Sequence, residues 1–128
     1  MNSENFLTTR DVVIMTFDDH PNFSLCVVHG FSERDKIEME WRGWLGCTYL
    51  VDSENKNYWP LSFYDPIRIA QDTEVTGYTE DVGLIVIQKV TLEKIINTCY
   101  SLLKGSYTKY HKPFTKSEIY ELYCLGQF

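Results

Sequence analysis

Three histidines (His20, His29 and His111) and four cysteines (Cys26, Cys47, Cys99 and Cys124) are the residues best suited to nucleophilic or metal chemistry. A thiolate nucleophile needs a base within hydrogen-bond reach, and a zinc site needs ligands that converge at fixed spacing. No two histidines stand four apart, and no two cysteines form a C-x-x-C pair. A Cys–His dyad drawn from distant positions stays open, with Cys47 after Gly46 as the thiol. The acid pairs Asp18-Asp19 and Glu80-Asp81 could supply a general acid and base or hold a cation. Both fall in turn-like segments, where solvated carboxylates are ordinary. Glycine-rich phosphate loops and the G-x-S-x-G elbow are missing. No catalytic residue, metal ligand or cofactor is assigned, and the expected role is binding rather than catalysis.

The elements that would position any site are legible in outline. Arg10 to Phe17 and Phe23 to His29 read as strands joined by the turn Asp18-Asp19-His20-Pro21-Asn22. Ser32-Glu33-Arg34-Asp35 reads as a polar turn. Ile37, Met39 and Trp41 then alternate with Glu38, Glu40 and Arg42, a period of two that predicts a half-buried strand with Trp41 in the core. Gly43 and Gly46 suggest a bulge. Leu45 to Val51 and Tyr58 to Tyr64 are strands around a polar loop, and Pro60 marks an edge or a break. Asp65-Pro66 opens a helix to about Glu74, with Arg68 and Asp72 placed to pair. Leu84 to Val90 is a buried strand. Thr91 caps a helix whose stripe is Leu92, Ile95, Ile96, Cys99, Leu102 and Leu103, ending at Gly105. Thr115 and Glu118 fit a capping box for a last helix that buries Ile119, Leu122 and Tyr123 and stops near Gly126. The expected fold is α+β: an antiparallel β-meander of about five strands with helices covering one face, in a single domain over 1–128.

The composition fits that picture. Of 128 residues, 44% are hydrophobic and 15% aromatic, enough for one core. No apolar run approaches the roughly 20 residues that span a bilayer. Met1 to Asn5 lacks the features of a signal peptide, so a cytoplasmic location with reduced cysteines is expected. Net charge is −6 and uneven: residues 1–81 hold 15 acids against 6 Lys and Arg, giving −9, while residues 82–128 hold 3 against 6, giving +3. An acidic majority repels phosphate backbones and suits a basic protein partner. Trp41, Trp44 and Trp59 could pack inside or form an aromatic binding surface.

One stretch resembles a known group. Trp41-Arg42-Gly43-Trp44, then Phe63-Tyr64-Asp65-Pro66-Ile67-Arg68-Ile69-Ala70-Gln71-Asp72, then the strand ending Val90-Thr91, resemble small bacterial immunity proteins of polymorphic and contact-dependent inhibition toxins. The likeness covers about residues 41–103, and Ile69 stands where the pattern has Leu. It implies an immunity protein that binds a cognate toxin domain and blocks its active site or substrate groove, with no cofactor and no direct contact with nucleic acid or membrane. Some such toxins are nucleases with basic clefts. The expected binding face is therefore acidic: Glu33, Asp35, Glu38 and Glu40, then Asp52 and Glu54, with Tyr58 or Trp59 as apolar anchor. The alternatives are a small thiol- or carboxylate-dependent enzyme and a regulatory or scaffold subunit with a large apolar patch.

Overall fold

A computed structural model describes residues 12–28 and 30–124. His29, the ends of the chain and the Cys124 side chain lie outside the described residues, as do Arg10, Asp11 and Gly126 of the predicted elements. Five strands, β1 (Val12–Phe17), β2 (His20–Val27), β3 (Trp44–Asp52), β4 (Asn57–Tyr64) and β5 (Leu84–Val86), form one open sheet in the order β1-β2-β3-β4-β5. The helices are α1 (Glu33–Arg42), α2 (Pro66–Thr76), α3 (Leu92–Lys104), the short α4 (Tyr107–Tyr110) and α5 (Lys116–Cys124). The α+β class is as expected.

β1 to β4 pair antiparallel, but β5 runs parallel to β4, Ser62 against Leu84 and Tyr64 against Val86. A parallel partner requires a crossover, and α2 supplies it. β5 is also shorter than the sequence suggests. Val90, at the end of the predicted strand, is a buried loop residue instead. Gly83 (φ 67°) lets this crossover close tightly: a Cβ there would overlap the Pro60 carbonyl. Pro60 sits where β4 needs no outward donor. The Tyr58 N–H donates to Phe114 O (3.0 Å) and the Ser62 N–H to Gly83 O (2.9 Å), and the proline falls between them.

The largest departure from the sequence reading is α1. Ile37 to Arg42 is helix, not strand. Ser32 is its N-cap rather than a turn residue: its hydroxyl accepts from the Asp35 N–H, and the Asp35 carboxylate accepts from the Ser32 N–H at 2.8 Å. Arg34, Glu38 and Arg42 are spaced to form a ladder, with Arg34 Nε 2.7 Å from Glu38 and Arg42 Nη1 4.0 Å from it. Gly43 ends the helix at φ 66°. Glu, Lys, Arg and Met are helix formers, so local propensity and caps override the apparent period of two.

The sheet has two covered faces. The row Met15, Leu25, Leu50 and Trp59 crosses four strands and meets Met39 of α1 and Ile95, Cys99 and Leu103 of α3. The adjacent row Val13, Cys26, Tyr49 and Pro60 points the other way, where Ile119, Tyr120 and Tyr123 of α5 cover Cys26 and Tyr49. Helices therefore lie on both faces rather than one. The Tyr123 hydroxyl donates to Thr48 O at 2.9 Å, tying α5 to β3.

Candidate functional site

α1 cannot bury all three of its apolar residues. At 100° per residue, Ile37 and Trp41 share one side and Met39 faces nearly opposite. Met39 is fully buried, so the other two are outside: Ile37 is 58% exposed and Trp41 89%. Trp41 is thus a surface residue, and its expected place in the core is corrected by the helical period. Ile67, in the first turn of α2, is 69% exposed. Trp41 and Ile67 line one depression of about 520 Å³ with Glu40, Arg42, Arg68 and Lys89 among its walls. A second depression of about 620 Å³, between α1 and the start of α3, shares Glu40 and Lys89 with the first. Scattered exposed apolar residues are normal, but Trp41 and Ile67 share one junction of two helices, and Ile37 lies one turn from Trp41 on the same side of α1.

The motif around Asp65 builds this junction. Asp65 caps α2, accepting from the Arg68 N–H at 2.7 Å, and its own N–H donates to Gly43 O at 2.9 Å. A Cβ on Gly43 would lie 2.5 Å from Asp65 Oδ2, so the end of α1 and the start of α2 meet only because residue 43 is glycine. Arg68 pairs with Asp72 through Nε at 3.0 and 3.1 Å and reaches Arg42 O through Nη1 at 3.2 Å. The Arg42 and Arg68 guanidiniums lie 5.5 and 5.7 Å from the Trp44 ring centroid. These contacts hold Trp41 and Ile67 in register. They are structural, and the residues they position are the exposed ones.

The acids expected to form one face do not gather. Glu33, Asp35, Glu38 and Glu40 ride on α1, where Asp35 is committed to the cap and Glu38 to arginines. The Ser32 backbone N–H, followed by its hydroxyl, holds the Asp35 carboxyl below its ordinary range. Asp52 and Glu54 lie at the far end of β3, roughly 25 Å from Trp44 at strand spacing. Asp52 is buried and accepts from the Glu54 and Asn55 N–H groups and from Asn55 Nδ2 (2.8 Å), shaping the hairpin. Glu54 accepts from Asn22 Nδ2. Tyr58 is half-buried against Tyr49 on the α5 face. Trp59 is 4% exposed, with Nε1 donating to His111 O at 2.8 Å, so it is a core residue and not a surface anchor.

Four of the residues first weighed for chemistry, His20, His111, Cys99 and Asp81, make contacts within the fold. His111 stacks on Tyr107 (4.1 Å) and His20 lies edge-on to Phe23 (6.2 Å). Burial pushes the Cys99 thiol up to about 12, which keeps it from acting as a thiolate at neutral pH. Asp81 accepts from the Tyr64 hydroxyl at 2.8 Å; burial, with help from that bond, pushes the phenol up to about 12. Among the described residues no group of three or more His, Cys, Asp or Glu could hold a metal ion, and no helix is long and apolar enough to cross a membrane. Comparison with protein families, with curated proteins and with solved structures finds no match.

Sequence reasoning missed Trp41, Ile37 and Ile67 as surface residues. The signal was available in the Ser32-x-x-Asp35 cap and the Arg34, Glu38, Arg42 spacing, both of which favour helix over strand.

Proposed function

We propose that this chain works by holding another protein against the α1–α2 junction, and that it is an immunity protein whose partner is a toxin domain. The carrying observation is the 89% exposure of Trp41 beside Ile37 and Ile67, in a fold that buries its other aromatic anchor, Trp59. Leaving a tryptophan in water has no folding benefit, whereas tryptophan is the side chain most enriched at binding hot spots. The resemblance of residues 41–103 to immunity proteins supplies the kind of partner, and Trp41 and Ile67 lie within that span while Ile37 precedes it. The same patch would suit a scaffold subunit, and a neutralisation assay separates the two.

The test is to purify the product of the neighbouring gene, assay it for toxicity, and measure its inhibition by wild type and by Trp41→Ala. A hot-spot truncation of about 2 kcal/mol or more corresponds to a roughly 30-fold or larger loss of affinity. The urea midpoint of the variant should stay where it was. Equal neutralisation by the two proteins would remove the junction from the binding face. A neighbouring product with no toxic activity would remove the immunity reading.

A further inference from the structure

The chain carries −6 overall, but the surface around Trp41 does not follow that balance. Four cations, Arg42, Arg68, Lys89 and Lys94, line the first depression against Glu40 and Asp65. Asp65 is already committed to capping α2, which leaves Glu40 as the acid facing the opening. Arg68 is neutralised by Asp72, and Arg42 approaches Glu38. Lys89 and Lys94 are exposed and have no ion-pair partner among the described residues. Lys94 also stands in the first turn of α3, where the helix dipole disfavours a cation. The Lys94 N–H is already taken by the Thr91 hydroxyl and Glu93 shares that turn, so it is the Lys89 and Lys94 ammonium groups, and not the helix end, that an outside anion would meet.

We infer that this depression takes an acidic segment of the partner protein, its carboxylates meeting Lys89 and Lys94 while an apolar neighbour covers the Trp41 indole. The inference rests on the protein-binding reading above and reverses the basic partner that the net charge suggests. What a partner meets at the anchor is the local field: groups more than about 10 Å away are largely screened at 0.1 M salt. A polynucleotide is the less suitable polyanion. It would need a long basic track, and the rest of this chain would repel it.

The probe is a library of random 12-residue peptides selected on the immobilised full chain, with Trp41→Ala as counter-selection. Selected peptides should be enriched in Asp and Glu next to a large apolar residue. Their affinity should fall on the order of tenfold or more in the double variant Lys89→Glu/Lys94→Glu and fall with rising salt. Lys104→Glu, about 15 Å further along α3, should bind them as wild type does. Circular dichroism confirms that each variant is folded. Enrichment in Lys and Arg, no enrichment over the counter-selection, or binding unchanged by the double reversal would each overturn the inference. A 12-mer RNA that shifts the Trp41 indole N–H resonance more strongly than the selected peptides would overturn it as well. Acidic peptides that bind as described while the neighbouring gene product proves harmless would sink only the immunity reading.

Discussion

α1 and α3 lie on the same face of the sheet, yet they use it differently. α3 buries Ile95, Cys99 and Leu103 along one stripe, so its apolar side is spent on the core. α1 buries Met39 alone and turns Ile37 and Trp41 outward. One helix is held by packing. The other is held mainly at its ends, by the Ser32–Asp35 cap and by the Gly43–Asp65 junction. The lesson is that a helix can be fixed by its caps and so leave an apolar face for a partner.

The strongest way to break this comparison is to truncate both faces. Ile95→Ala should lower stability by about 2–5 kcal/mol, as large-to-small changes in a packed core do. Trp41→Ala removes a larger side chain but should shift stability by no more than about 0.5 kcal/mol, because its surface is already in water. Urea titrations of both variants decide the matter, and comparable midpoint shifts would mean that Trp41 is packed in solution.

A smaller effect sharpens the role of the junction. Gly43→Ala forces a Cβ into a left-handed residue at about 1–2 kcal/mol and also presses it on the Asp65 carboxylate. The amide resonances of Arg42 to Arg68 should move with it, and those of α3 should not. A variant as stable as wild type would show that the contact is loose.

The smallest effect tests the cap and carries a pH signature. Because the folded Asp35 carboxyl sits below its ordinary value, its contribution is present above the unfolded value and is lost as pH falls through the folded one. Asp35→Asn should therefore cost about 0.5 kcal/mol near neutrality, a typical figure for an exposed charge at a helix start. The gap to wild type should close in acid, below the carboxylate range. A gap that persists there would assign the loss to geometry rather than charge.

Local signals in the sequence placed most of the fold. The Asp65 cap with Pro66, the stripe from Leu92 to Leu103 and the Thr115–Glu118 box each depend on residues a few positions apart, and each stands as expected. α1 was equally local, yet its alternating acids and apolar residues satisfy a period of two as readily as a helix with one buried residue. Two periods fit so short a run, and the cap at Ser32 was the tie-breaker. The expected acidic face rested on the same strand reading, with Glu38 and Glu40 on its outer side and the 52–57 loop at its end. With that segment a helix, β3 carries Asp52 to the far end of the sheet from α1.

By itself, then, the sequence determined the class, the strands β1 to β4 apart from the start of β2, where His20 to Asn22 are strand and not turn, and three of the helices with their starts, because propensity, caps and turn residues act over a few positions. Only the tertiary structure decided that β5 runs parallel, that α5 covers the second face, and that Trp59 is inside while Trp41 is outside. Those outcomes depend on which surfaces meet once the chain has closed. Burial of a given tryptophan is set by what lies across from it, and no spacing along the chain specifies that.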